Sequence, residues 1–311
     1  MVDMRALIHD PAAPHGLRHD DVPDPVPAPN QVLIQVAATS LNFGEVAYLA
    51  GRPVGSVPGW DASGVVVAAA ASGEGPAVGA RVVTLGWDGA WAQRRAVDVT
   101  ELAVLPDAVS HTAAAALPVA GGTALRALRR LGSVVGRRVL VTGASGGVGR
   151  FAVQLAALAG AHVIASVGSV ERGKGLLELG AASVVVDPEL ADVREPVHGV
   201  IENVGGPLLA RSYALLAPGG LAVSIGQASQ QPTTINFEEA RINNPGAQLE
   251  AFNVGVGGGI GPDLAVLAEL VAAGELDTQV GWLGDWERVH EAIEALRGRR
   301  VLGKAVLEVN S

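Results

Sequence analysis

The sequence contains no cysteine. That excludes disulfides, thiolate zinc sites and a catalytic thiol. Lysine is nearly as scarce: of 22 basic residues only Lys174 and Lys304 are lysines. The basic residues are outnumbered by 31 acidic ones, giving a net charge of −9 and a pI near 5.3. That balance argues against a general nucleic-acid or anionic-membrane partner. No apolar run reaches the ~20 residues of a membrane span. The longest, "AAAALPVAGGTAL", is broken by Pro118, Gly121 and Gly122. Asp3 and Arg5 stand near the N-terminus without a long apolar stretch behind them, so no secretory signal and a cytoplasmic location are expected. The seven histidines show no H-E-x-x-H spacing. His9, His15 and His19 lie in a stretch rich in Pro and Asp and are expected at the surface, not on a metal. No metal site is expected at all.

What is present is an apolar chain. It is 49% hydrophobic with a mean hydropathy of +0.34, and 311 residues suffice for two domains. Abundant Ala and Gly beside so few lysines suggest a GC-rich bacterial coding sequence. The most informative stretch is "VLVTGASGGVGR", residues 139 to 150. A short apolar run with β-branched Val139 and Val141 reads as a buried parallel strand. Glycines then allow a tight turn and close approach of a pyrophosphate. "VGRFAVQLAALAGA" follows, with Val148, Ala152, Leu155, Ala156 and Ala159 on one helical face. The helix N-terminus favours an anion. The motif fits two dinucleotide-binding patterns: T-G-x-x-x-G-x-G through Thr142, Gly143, Gly147 and Gly149, and G-x-x-G-x-x-G through Gly143, Gly146 and Gly149.

Further strands read at "HVIAS", "SVVVD", "GVIE", "LAVSIG" and "LEAFNV", with helices expected at segments such as "VERGKGLLELG" and "PLLARSYALLA". Strand and helix in alternation mean a doubly wound sheet of six parallel strands, a Rossmann domain over 116–255. Residues 1–115 have a different texture. "ALIHD", "VLIQVAA", "SGVVVAAA", "ARVVTLG" and "AQRRAV" alternate between Pro and Gly turns, an antiparallel pattern. The helices "PDLAVLAELVAAG" and "WERVHEAIEALRG" and the strand "KAVLEV" lie within 256–311, so the nucleotide unit looks inserted into a β-rich domain. A short-chain dehydrogenase places its glycines near the N-terminus and needs Tyr-x-x-x-Lys. Here Tyr48 is followed four residues later by Arg52 and Tyr213 by Ala217, so that chemistry lacks its residues.

The chain instead resembles the medium-chain dehydrogenase/reductase superfamily, in its zinc-independent quinone oxidoreductase branch. The resemblance is carried in order by "VPDPVPAPNQVLIQVAATSLNFGEV", "PGWDASGVV", "LPVAGGTALRAL", "VTGASGGVGRFAVQLA", "ENVGG" and "GRRVLGKAVL". It implies an α/β protein with a GroES-like β-rich catalytic domain, a Rossmann domain binding NADPH, and a small-molecule acceptor. It also implies a homodimer paired through the sixth strand near "LEAFNV". Zinc-dependent relatives place a cysteine near Asn42 and Gly-His-Glu near Gly59–Asp61; here Trp60 replaces the histidine. Without a Lewis acid the acceptor must already be electrophilic, a quinone or an α,β-unsaturated carbonyl.

The second nucleotide strand ends "VIASVGSVERGK" with no acid to grip ribose hydroxyls. Arg172 stands where similar reductases bind a 2′-phosphate, with Lys174 as the second candidate. Asp187 stands near the place of a further phosphate-binding tyrosine. The resemblance implies cofactor contacts from Asn42, Thr123, Gly143, Ser145, Gly146, Gly147, Val148, Ser169, Arg172, Asn203, Val204, Gly226 and Phe252. The family's N-F-x-D-x-x-x-R-x-G-x-Y-P reads "NFGEVAYLAGRP" here, with Leu49 at the arginine and Pro53 at the tyrosine. Asn42, Tyr48 and Thr123 are therefore the expected catalytic surroundings of the acceptor, with either Tyr48 or water supplying the proton. Three functions remain open: a quinone or enone reductase, an enoyl reductase acting on a biosynthetic, polyketide-like intermediate, and a non-catalytic NADPH-binding protein.

Overall fold

Period-two alternation builds the first strands. In the computed structural model, which describes residues 3–310, β1 (Asp3–His9) and β2 (Leu17–Pro23) form an antiparallel pair. β3 (Gln31–Leu41) alternates buried and half-buried residues as far as Ala37, then is buried on both faces. α1 (Phe43–Tyr48), β4 (Asp61–Ala68), β5 (Arg81–Leu85), β6 (Arg94–Asp98) and β7 (Leu102–Val104) follow, then α2 (His111–Ala115) and α3 (Pro118–Arg130). Contacts divide the chain into two units, Met1–Gly122 with Gly257–Ser311 and Thr123–Val256.

The second unit holds β8 (Arg138–Val141), α4 (Gly147–Leu158), β9 (His162–Ser166), β10 (Ser183–Val185), β11 (Val197–Glu202), α5 (Gly206–Ala214), β12 (Leu216–Ser224), α6 (Phe237–Asn243) and β13 (Gln248–Ala251). Its six strands are all parallel, in the order β10-β9-β8-β11-β12-β13. That is the doubly wound order, which leaves a crevice outside the strand carboxyl ends where the winding reverses beside β8. Leu140, Ile164, Val200 and Tyr213 belong to its core. The chain then returns to the first unit with α7 (Gly261–Ala272), β14 (Val280–Asp285), α8 (Val289–Arg297) and β15 (Lys304–Glu308). A seven-stranded sheet runs β14-β15-β3-β4-β5-β7, with β6 also paired to β3. Ile34, Leu41, Trp91, Trp286 and Leu307 are fully buried in its core.

Two expectations are corrected. The segment "VERGKGLLELG" forms no α-helix; a 3₁₀ turn at Glu171–Gly173 gives way to further turns. Gly173 and Gly175 interrupt it, and Gly175 takes φ +78°, a left-handed conformation that ends a helix. Nor are His9 and His19 surface residues, while His15 remains partly exposed. His9 is 2% exposed and its Nδ1 donates to Gly16 O at 3.0 Å. His19 packs edge-on against Trp286 with ring centres 4.8 Å apart, and burial lowers its pKa.

Candidate functional site

The first unit carries a buried polar cluster on the "LNFGEVAY" and "PGWDASG" segments. β3 ends at Leu41 and Asn42 caps α1, closing a capping box with Glu45. Asn42 donates from its backbone N and from Nδ2 to Glu45 Oε2, both at 2.8 Å. Nδ2 also donates to Asp61 Oδ2 at 2.8 Å. Asp61 is the hub, wholly buried at the start of β4. Its carboxylate accepts from Ser40 Oγ at 2.7 Å, from Val119 N at 3.0 Å and from Lys304 Nζ at 3.2 Å. Lys304 opens β15, is 2% exposed, and also donates to Leu41 O and Asn42 Oδ1. Trp60 is held from both sides: its N donates to Glu45 Oε1 at 2.6 Å, and its O accepts from Arg95 Nη1 at 2.9 Å. Burial pushes the Arg95 guanidinium down to about 10, which leaves it charged at neutral pH.

This arrangement redefines Asn42. Both N–H groups of its amide are committed inside the cluster, so it sets the direction of α1. Tyr48, at the other end of α1, is 72% exposed. Sequence reasoning missed Lys304 and Arg95 as members of the cluster. The available signal was a lysine, one of only two, opening an otherwise apolar strand.

The second unit gathers its expected residues at the carboxyl ends of β8, β11 and β12. Gly143 follows β8 with φ +57°. A Cβ there would stand 3.2 Å from Val204 Cγ2 and 3.3 Å from Asn203 Cβ. Gly149 has no room for any side chain, since a Cβ would lie 2.4 Å from Gly143 O and 2.6 Å from Ala144 Cα. Asn203 joins the ends of β11 and β8, donating from N to Thr142 Oγ1 at 3.0 Å and from Nδ2 to Thr142 O at 2.8 Å. Behind it Glu202, fully buried, accepts from Thr142 Oγ1, Val204 N and Gly205 N, each at 2.9 Å. Burial raises the Glu202 pKa, while these donors oppose the shift. Gly226 packs on the same turn; a Cβ there would meet Asn203 O at 3.0 Å.

Gly146 caps α4, with Gly147 and Val148 as its first residues, and no side chain caps that first turn. Its N–H groups therefore suit an anion, as a dinucleotide pyrophosphate would supply. Ser145 in the turn accepts from Arg172 Nε at 2.9 Å, and Arg172 N donates to Ser169 Oγ at 3.4 Å. Ser145, Ser169 and Arg172 are thus one group. Asp187 is spent on its own turn, accepting from Glu189 N and Ala191 N at 2.8 Å each. Thr123 is 3% exposed within α3. Phe252 follows β13 and donates its N to Ser224 O at 2.8 Å. Among the described residues no three His, Asp or Glu side chains are placed to hold a metal ion.

Two family models match this chain. The alcohol dehydrogenase GroES-like domain covers residues 28–107, and the zinc-binding dehydrogenase model covers 147–295. An erythronolide synthase of Saccharopolyspora erythraea is 33% identical over 307 residues, 92% of this chain. This chain spans only 8% of that synthase. The quinone oxidoreductase of Coxiella burnetii is 26% identical, with a TM-score of 0.85 over 99% of this chain and 100% of the other. A mycobacterial protein solved with NADPH is 25% identical, with a TM-score of 0.86 over 98% and 99%.

The cluster makes a prediction about pH. Burial, and then the Asp61 carboxylate, push the Glu45 carboxyl from 4.5 up to about 8, against the pull of Lys304 and the Asn42 N–H groups. A carboxyl raised in this way binds its proton more tightly when folded. Its contribution to stability is complete below 4.5 and is lost as pH climbs through about 8. Glu45→Gln carries no such proton, so the wild type should lose stability relative to it between those limits. Denaturant unfolding at about pH 5, 7 and 9 reads the difference. A gap between the two proteins that stays constant with pH contradicts the assignment.

Proposed function

Because the chain belongs to the medium-chain dehydrogenase/reductase superfamily, in its quinone oxidoreductase-like branch, we propose that it is an NADPH-dependent reductase of a quinone or an α,β-unsaturated carbonyl. The observation that carries the reading is the Arg172–Ser145 pair beside the uncapped N-terminus of α4. A pyrophosphate fits the glycine turn and the first N–H groups of α4. Arg172, held to that turn, supplies a charged donor to a 2′-phosphate. Gly143, Asn203, Val204 and Gly226 stand at the strand ends where the rest of a dinucleotide lies in this fold. Phe252 and Thr123 complete the proposed cofactor contacts.

Bound NADPH would supply the hydride. The chain's own part is to orient and to deliver one proton. Either the exposed Tyr48 hydroxyl or water gives that proton to the acceptor oxygen or, in an enone, to the carbon beside the carbonyl. Lys304 holds Asp61 and Asn42 where zinc-dependent relatives place metal ligands. Its fixed positive charge disfavours a second cation there. The reading is therefore of a zinc-independent enzyme. The residues 1–115 and 256–311 are proposed as the catalytic part and 116–255 as the cofactor part.

A second reading, an enoyl reductase acting on a polyketide-like intermediate, is favoured by the 33% identity to the erythronolide synthase. It shares the hydride and proton chemistry and differs in the acyl carrier of the acceptor. No helix among the described residues is long and apolar enough to cross a membrane. A bacterial, cytoplasmic homodimer is proposed, paired through β13. That strand lies at the sheet edge with Leu249 41% exposed. Light scattering at micromolar concentration should give twice the chain mass; a monomer refutes the pairing.

Arg172→Ala tests the cofactor site. It should raise the NADPH KM by the equivalent of about 1.5–3 kcal/mol, the range for a hydrogen bond to a charged group. NADH should bind nearly as before. Equal losses for the two cofactors would remove Arg172 from the 2′-phosphate.

A further inference from the structure

Aromatic residues are few here: five tryptophans, two tyrosines and four phenylalanines in the whole chain. Three of them, all in the first unit, are grouped above the buried cluster. Trp60 and Trp87 meet edge to face, with centres 5.3 Å apart and planes at 80°. The Trp60 and Tyr48 rings both border Gly44 in α1. A Cβ on Gly44 would stand 3.2 Å from Trp60 Cη2 and 3.9 Å from Tyr48 Cε2. Gly44 thus leaves open the space at which the two rings converge. Tyr48 is 72% and Trp87 46% exposed. Single exposed aromatics are ordinary, but converging ones mark a surface that gains by being covered.

The platform is rigid at its base. Glu45 and Arg95 hold the N–H and the carbonyl of Trp60, and Gly86 N donates to the same carbonyl at 3.0 Å. Arg52 pins the Trp87 loop, reaching Trp87 O at 3.5 Å and pairing with Asp88. The charges around the rings are therefore matched within the protein, Arg52 by Asp88 and Asp61 by Lys304, and Glu45 spends its oxygens on three N–H donors. This favours a neutral occupant.

We propose that Trp60, Trp87 and Tyr48 form a stacking platform for the flat ring of an aromatic quinone, with Trp87 selecting fused-ring quinones over small aliphatic enones. The proposal rests on the reductase reading above and assigns residues to acceptor choice. Fused aromatic rings offer a face to one indole and an edge to the other, the two arrangements that aromatic pairs favour. An aliphatic enone of four or five carbons offers neither.

The test compares NADPH oxidation by 1,4-naphthoquinone and by methyl vinyl ketone in the full chain, its Trp87→Leu variant and its Trp87→Phe variant. Trp87→Leu should raise the naphthoquinone KM by about 2- to 12-fold, the worth of one aromatic pair. The kcat and the KM values for methyl vinyl ketone and NADPH should stay within about twofold, and Trp87→Phe should recover most of the loss. An equal change for both acceptors, or none for either, overturns the platform. If neither acceptor is reduced by the wild type, the reductase reading fails. Calorimetric titration with naphthoquinone then tests the platform alone: weaker binding by Trp87→Leu supports it, and unchanged binding overturns it. A change of oligomeric state in Trp87→Leu would assign the aromatic face to contact between copies and would also overturn it.

Discussion

The first unit depends on a single buried carboxylate. Asp61 accepts four hydrogen bonds, from Ser40, Asn42, Val119 and Lys304, and so ties the end of β3, the cap of α1, the start of α3 and the head of β15 together. Removing a charge partner from such a pair leaves the other charge buried and unmatched, which costs more than the pair contributes when intact. The cluster therefore specifies where its elements meet. It fixes the N-terminal end of α1 in particular, through Asn42 and Glu45. Glu45 extends the same control to Trp60, whose backbone N–H and carbonyl are held by Glu45 and Arg95 while its ring remains available.

The second unit follows a parallel logic at the ends of its strands. Glu202 is buried behind the β11 turn and spends its oxygens on Thr142 and on two backbone N–H groups. That locks the β8 turn to the β11 turn, and Asn203 repeats the tie from the other side. The glycines at 143 and 149 are needed because backbone and side chains approach too closely for a Cβ. A rigid turn beside an uncapped helix N-terminus lets the backbone receive an anion without rearranging.

Much of this is legible in the chain itself. The short apolar run before Gly143, the glycine spacing and the apolar face of α4 are local patterns, and local patterns survive in one dimension. The parallel pairing of six strands follows from strand and helix in alternation. What escaped was non-local. Lys304 and Asp61 are 243 positions apart, and nothing in either neighbourhood announces the other. His9 reads as a surface residue from its Pro- and Asp-rich surroundings, yet the turn at Gly16 folds back and takes its Nδ1. The segment after β9 carries the apolar content of a helix, and two glycines outweigh it. The bond from Arg172 to Ser145, 27 positions apart, also required the fold.

In the proposed reaction, hydride passes directly from NADPH to an electrophilic carbon, with no metal and no second redox carrier between donor and acceptor. Incubating the protein with an enone and NADPH carrying deuterium at C4 of the nicotinamide, separately in each configuration, measures this most directly. Direct transfer leaves deuterium at the β-carbon of the reduced product from one configuration only. Product free of deuterium from both, with the label found in solvent, would contradict it.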